Sequence, residues 1–111
     1  MVVLLTSCSK VPENTDPVLG IWYKPVLVSA ETQQVITKEE WVFNDVYLGR
    51  YQVYNNNSVI FFTDFQWEQI DGTYTISYPG TDIPEQNARM VMMEEQEVLQ
   101  DNNGDILAFR Q

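Results

Sequence analysis

From Val18 to the end of the chain, apolar and polar residues alternate with a period of two, and turn residues interrupt the alternation at short intervals. Successive side chains of a strand point to opposite faces, so each such run predicts a strand with one buried face. Eight strands are expected, over 20–28, 39–44, 50–54, 60–68, 73–78, 88–94, 97–100 and 105–110. The fourth has the clearest pattern: Phe61, Phe65 and Trp67 on one face, Phe62, Asp64, Gln66 and Glu68 on the other. The fifth sets Tyr74, Ile76 and Tyr78 against Thr73, Thr75 and Ser77, and the eighth is expected to turn Leu107 and Phe109 inward. Met90-Val91-Met92-Met93 is apolar on both faces and leaves the sixth ambiguous. The one helix candidate, 31–40, contains Thr32, Val35, Ile36 and Thr37, which disfavour it.

The links fit hairpins. Asp71-Gly72 and Asn103-Gly104 suit type I′ turns, whose two central residues need positive φ. Leu48-Gly49 joins strands two and three, and Asn55-Asn56-Asn57 joins three and four. Short links make every neighbouring pair antiparallel. The expected fold is therefore all-β: an eight-stranded antiparallel up-and-down β-barrel, closed because closure removes exposed edges. Its two long links, 29–38 and 79–87, fall at one end, the mouth. The short even-numbered links and the N-terminus share the other, tight end.

Composition narrows the function. Sixteen acidic against six basic residues give a net charge of −10, which repels phosphate backbones and argues against nucleic-acid binding. No histidine is present, so the commonest general base and transition-metal ligand are missing. No Gly-x-Ser-x-Gly nucleophile elbow occurs. Glu39-Glu40 and Glu94-Glu95 are adjacent, so in strands they point to opposite faces as solvated charges rather than an acid/base pair. Asp101-Asn102-Asn103-Gly104-Asp105 resembles the start of a calcium loop, but the acid needed near position twelve does not follow, which favours a plain turn. No catalytic residue, metal or cofactor is assigned, and the expectation is a non-enzyme.

The N-terminus carries a second signal. Met1-Val2-Val3-Leu4 is apolar, and Leu5-Thr6-Ser7-Cys8 ends at the chain's single cysteine. This resembles a bacterial lipobox, which implies cleavage before Cys8 and lipidation of its new N-terminus. Residues 1–7 then read as a truncated lipoprotein signal segment, 8–17 as a polar, Pro-containing linker, and 18–111 as the barrel domain. About 100 residues after Cys8 make one domain. Ser9, rather than Asp, after the cysteine favours the outer membrane. The expected location is the bacterial cell envelope, with membrane contact through the lipid anchor alone.

Val18-Leu19-Gly20-Ile21-Trp22 is similar to the Gly-x-Trp signature that opens lipocalins. Phe43 followed by Gly49-Arg50-Tyr51, Trp67 followed by Asp71-Gly72-Thr73-Tyr74-Thr75-Ile76, and Gly104 to Arg110 come after it in the expected order. The chain resembles the small lipocalin-like domains found as lipoproteins in Gram-negative bacteria. That resemblance implies a barrel with Trp22 plugging its base. Arg110 is expected to stack over the indole there by reaching around the barrel end, with Arg89 as an equally charged competitor.

Counting from Trp22 in period two turns Lys24, Val26 and Val28 inward. Lys24 then meets an acid or a ligand carboxylate, or marks a different register. A candidate small-molecule site is assigned to Val28, Trp41, Val53, Phe61, Phe65, Ile76, Tyr78 and Met90, with Trp41 and Tyr78 on the rim and Val28 and Met90 beside them. Eight strands enclose just enough room for a packed core or one small ligand. The expected function is to bind a small hydrophobic or amphipathic ligand in that space. A filled core would leave an interaction or inhibitor module that meets an envelope protein partner through its surface.

Overall fold

The computed structural model describes residues 14–26 and 37–111. Cys8 and Val28 therefore lie outside the described residues. Within them the chain forms β1 (Gly20–Pro25), β2 (Lys38–Phe43), β3 (Leu48–Asn55), β4 (Ser58–Ile70), β5 (Thr73–Ser77), β6 (Gln86–Met93), β7 (Gln96–Asp101) and β8 (Ile106–Arg110). Each strand pairs with its sequence neighbour, always antiparallel, and β8 returns to β1 to close the barrel. Closure is thin: Trp22 opposes Arg110, Tyr23 opposes Phe109, and the Gln111 amide donates to the Ile21 carbonyl at 3.0 Å.

Alternation fills the interior. Trp22, Trp41, Phe43, Phe65, Trp67, Tyr74, Ile76, Tyr78, Ala88, Leu99 and Ala108 form one buried cluster with Val18. The rings pack edge-on or tilted, with Phe43 5.0 Å from Phe65 and 5.6 Å from Trp67. Such geometry keeps the electron-poor edge of one ring on the face of the next.

Four expectations need correction. The β2–β3 link is 44–47, so Leu48-Gly49 belongs to β3. Tyr47 takes the positive φ in that turn, and its ring packs 4.8 Å from Trp67. Glu94-Glu95 is no strand segment but the two-residue β6–β7 turn, both with positive φ. Asn103-Gly104 is not a two-residue type I′ turn: Gly104 alone has positive φ, and the link is 102–105. Asp101 organises that loop by accepting the Asn103 and Asp105 amides on its carboxylate. Last, a register shift between Leu99 and Gln100 changes the phase of β8. Ala108 faces inward against Leu99, and Phe109 faces outward against Val98 and Tyr23.

Candidate functional site

Most of the residues expected to line a ligand pocket do meet. Trp41 on β2, Phe65 on β4, Ile76 on β5 and Tyr78 just beyond it are buried, and Val53 on β3 nearly so. Tyr51 lies between them, 5.2 Å from Trp41 and 5.6 Å from Tyr78. They satisfy one another. The Trp41 Nε1–H donates to Tyr78 Oη at 2.9 Å, and the Tyr78 hydroxyl donates to Gln86 Oε1. The Tyr51 hydroxyl donates to Glu39 Oε1 at 2.7 Å. Burial pushes the Tyr78 phenol up to about 12, and the nearby Glu39 charge adds to this against the Trp41 hydrogen bond. Burial, then the Glu39 bond and charge, raise the Tyr51 phenol as well.

Their expected arrangement at a rim is not found. Trp41 is the fourth residue of β2 and is only 2% exposed, because β2 begins at Lys38 and carries Trp41 down into the barrel. Met90 is half-buried toward the tight end, since β6 starts at Gln86 at the mouth and runs to the Glu94-Glu95 turn. A surface depression there joins it to Pro17. Lys24 is exposed and opposes Glu39 in register. Among the described residues of the set, Phe61 alone is exposed, at 44%.

At the tight end, Trp22 is fully buried and donates its Nε1–H to the Val18 carbonyl at 2.8 Å. The Arg110 guanidinium stands 4.2 Å from the Trp22 ring centroid. It also donates to Glu97 Oε1 at 2.9 Å, to the Leu19 carbonyl at 2.8 Å and to the Pro17 carbonyl. Gly20 has a φ of 117°, and its bare α-carbon leaves room for that guanidinium. The incoming chain is tied there too: the Tyr74 hydroxyl donates to Asp16, and Asn14 Nδ2 donates to the Asp45 carbonyl at 3.2 Å.

The opposite end carries a surface that the residue-by-residue reading missed. The β3–β4 hairpin turns at Asn56-Asn57, and its rising edge exposes Val59, Ile60, Phe61 and Phe62 by 43–56%. Ile60 is the extra residue of a bulge, because Val53 opposes Phe61 while Tyr54 opposes Val59. Val59 and Phe62 thus share the outer face with Tyr54 and Gln52. Beside them Arg50 stacks 4.7 Å from the Phe62 centroid and pairs with Asp64 at 3.5 Å. Lys38 lies 4.5 Å from the Tyr54 centroid. Glu40 is no solvated charge: it is 7% exposed and accepts from the Tyr54 hydroxyl at 3.1 Å and Gln52 Nε2 at 2.9 Å, with Lys38 at 3.6 Å. The available signal was the run Val59-Ile60-Phe61-Phe62 itself, four apolar residues where alternation calls for two.

A surface groove of about 390 Å³ lies along the same strand, between Asn44, Leu48 and Gly49 on one side and Pro79 on the other, with Thr63–Gln66 as its floor. Comparison with protein-family models, curated proteins and solved structures finds no match to this chain.

Proposed function

We propose that this chain is a lipid-anchored envelope protein, similar to small lipocalin-like lipoproteins, and that it works as a protein-interaction module rather than as a carrier of a small ligand. The observation that carries this reading is a contrast within one barrel. Trp41, Phe65 and Tyr78, expected to line a pocket, are buried together, with Trp41 hydrogen-bonded to Tyr78 and Tyr78 to Gln86, while Phe61 of the same set is left exposed with its apolar neighbours on the β3–β4 hairpin. Exposed apolar side chains gathered on one hairpin of a protein of net charge −10 mark a contact surface more readily than a solvated one.

The anchor rests on Leu5-Thr6-Ser7-Cys8 and the polar linker that follows. Residues 14–19 enter at the tight end, beside Trp22, and the Asn56-Asn57 tip lies at the other. A lipid at Cys8 would therefore point the hairpin away from the membrane. Two experiments test the reading. Labelled palmitate should enter the full-length precursor and be lost in Cys8→Ala. A photo-crosslinking amino acid at position 62, in the native host, should trap one discrete protein, while the same group at Glu68 on the outer wall traps none. Equal trapping at both positions, or a small molecule co-purifying in native mass spectrometry in place of a trapped protein, overturns the module.

A further inference from the structure

β4 has different neighbours along its two halves. It pairs with β3 from Ser58 to Gln66 and with β5 from Gln66 to Ile70. Phe61–Phe65 is therefore paired on one side alone among the described residues. The direction of its free groups follows from one contact. The Trp67 amide donates toward β3, to the Tyr47 carbonyl at 3.0 Å. Backbone direction alternates along an antiparallel strand, so Phe65, Thr63 and Phe61 also turn their N–H and C=O to β3. Phe62 and Asp64 turn theirs to the open side, in line with Gln66, whose partner on that side is Ser77.

Pro79 explains why the ladder stops. Continuing the register places Tyr78 opposite Phe65 and Pro79 opposite Asp64. Asp64 needs an amide donor at that position, and proline has none. Pro79-Gly80 instead turns the chain away. The Thr81 amide and hydroxyl both donate to the Tyr78 carbonyl, at 3.3 and 2.8 Å, and Gly80 has the φ of 79° that the second central residue of a type II turn requires. Space is left beside Thr63–Gln66 and Pro79, along the groove described above.

We infer that the Phe61–Asp64 edge accepts an extended segment of a partner protein by β-strand addition, in line with β5. The inference rests on the interaction-module reading and names its mode and the chemistry of the partner. Backbone groups of Phe62 and Asp64 supply four ladder positions. The partner residue opposite Asp64 lies beside a carboxylate that stays 76% exposed although Arg50 pairs with it at 3.5 Å from the β3 side, which favours a basic residue there. Those opposite Thr63, Phe62 and Phe61 lie beside a methyl-bearing or aromatic side chain, so they are apolar. The usual edge defences of lysine or proline do not occur between Ser58 and Phe65. A second copy fits poorly, for two reasons. Each copy carries a charge of −10, and the Ile60 bulge bends the edge that a symmetric pair would need straight.

The probe is a capped peptide, acetyl-Lys-Val-Leu-Val-Thr-amide, antiparallel to β4 with its lysine opposite Asp64, so that only its acetyl cap abuts Tyr78 at the end of β5. In the free protein the Phe62 and Asp64 amides exchange with solvent fast, while Thr63 and Phe65 exchange slowly. The peptide slows Phe62 and Asp64 by about tenfold or more when bound. N-methylation of its lysine and leucine removes two ladder donors and weakens binding by about tenfold or more. N-methylation of its two valines, whose N–H groups point outward, changes binding by less than about twofold. Asp64→Lys reverses the preference toward a peptide with glutamate in place of lysine. No slowing of Phe62 and Asp64 at about 1 mM peptide overturns the inference. Equal binding of both N-methylated peptides also overturns it, leaving side-chain docking on the hairpin and hence the broader reading intact. Loss of the position-62 crosslink removes the broader reading instead. Slow Phe62 and Asp64 exchange without peptide, with a dimer mass in sedimentation, makes a second copy the occupant and overturns the partner strand.

Discussion

The ring of Phe65 lies across Gly49, so closely that a β-carbon at Gly49 would overlap its Cζ and the Val42 carbonyl oxygen. The two residues oppose each other on β3 and β4, facing inward. A glycine in a strand normally weakens it. Here it makes room for an aromatic ring that fills the barrel against Phe43 and Tyr78. Gly49→Ala should destabilise the fold by about 3 kcal/mol, at the upper end of overpacking costs, because one of the two clashes is with backbone that cannot rotate aside. Urea unfolding measures it; a loss under about 1 kcal/mol would mean the barrel relaxes at this point.

Arg110 ties the last strand to the first through Trp22. Its guanidinium joins the indole face, Glu97 and two backbone carbonyls of the entering chain. Trp22→Ala should cost about 3–5 kcal/mol, as for other fully buried aromatics. Arg110→Gln should cost about 1–3 kcal/mol, since it leaves the Pro17 and Leu19 carbonyls without their donor. The β1–β8 seam is short, so amides of β1 and β8 should lose exchange protection before those of β3 and β4. Uniform loss of protection across the barrel in Arg110→Gln would sink this account.

The eight strands and their order were legible because alternation and Asp71-Gly72 are local signals. The turn has both central residues at positive φ, as that dipeptide favours. What was not legible depends on distant neighbours. Glu94-Glu95 has no turn chemistry of its own; the pairing of Met93 with Gln96 imposes it. The phase of β8 was lost at the Leu99–Gln100 irregularity, since one inserted residue exchanges the two faces. Trp41 and Tyr78 were assigned to one site and do touch, but strand lengths decide depth, and alternation does not report length. The open edge of β4 was hidden for the same reason. Pro79 and Gly80 read as the start of a loop, and their effect on Asp64 needs the β4–β5 register.

The buried phenols give the fold a ceiling in pH. Tyr78 is held protonated up to about 12 by burial, while in the unfolded chain it titrates near the ordinary value of 10. Across that window the unfolded chain has lost a proton that the folded chain keeps. Stability is therefore fully present below pH 10 and falls as pH rises toward 12, by about 1.4 kcal/mol per pH unit for one such tyrosine. Tyr51 and Tyr74 are shifted in the same direction by burial, and then by Glu39 and Asp16 respectively. Urea melts between pH 8 and 12 should show the fall, and Tyr78→Phe should reduce its slope. A parent whose stability rises between pH 10 and 12 would contradict the buried, protonated phenol.

The hairpin and the core should answer substitution in opposite ways. Val59 and Phe62 sit on the outer face, 43% and 56% exposed, so only about half of each side chain is lost from the fold when they become polar. Val59→Ser with Phe62→Ser should cost about 1–3 kcal/mol for the two together, from that half-burial and from the lost stack of Arg50 on Phe62. The same pair should remove most of the binding of an apolar fluorescent dye, because it breaks up the exposed patch. Phe65→Ala should do the reverse. Phe65 is fully buried, so its loss should cost about 3–5 kcal/mol, and the folded variant, held below its melting temperature, should bind the dye as the parent does. If Phe65→Ala abolishes dye binding and the hairpin pair leaves it unchanged, the dye enters the barrel interior, and the binding surface is the cavity rather than the hairpin.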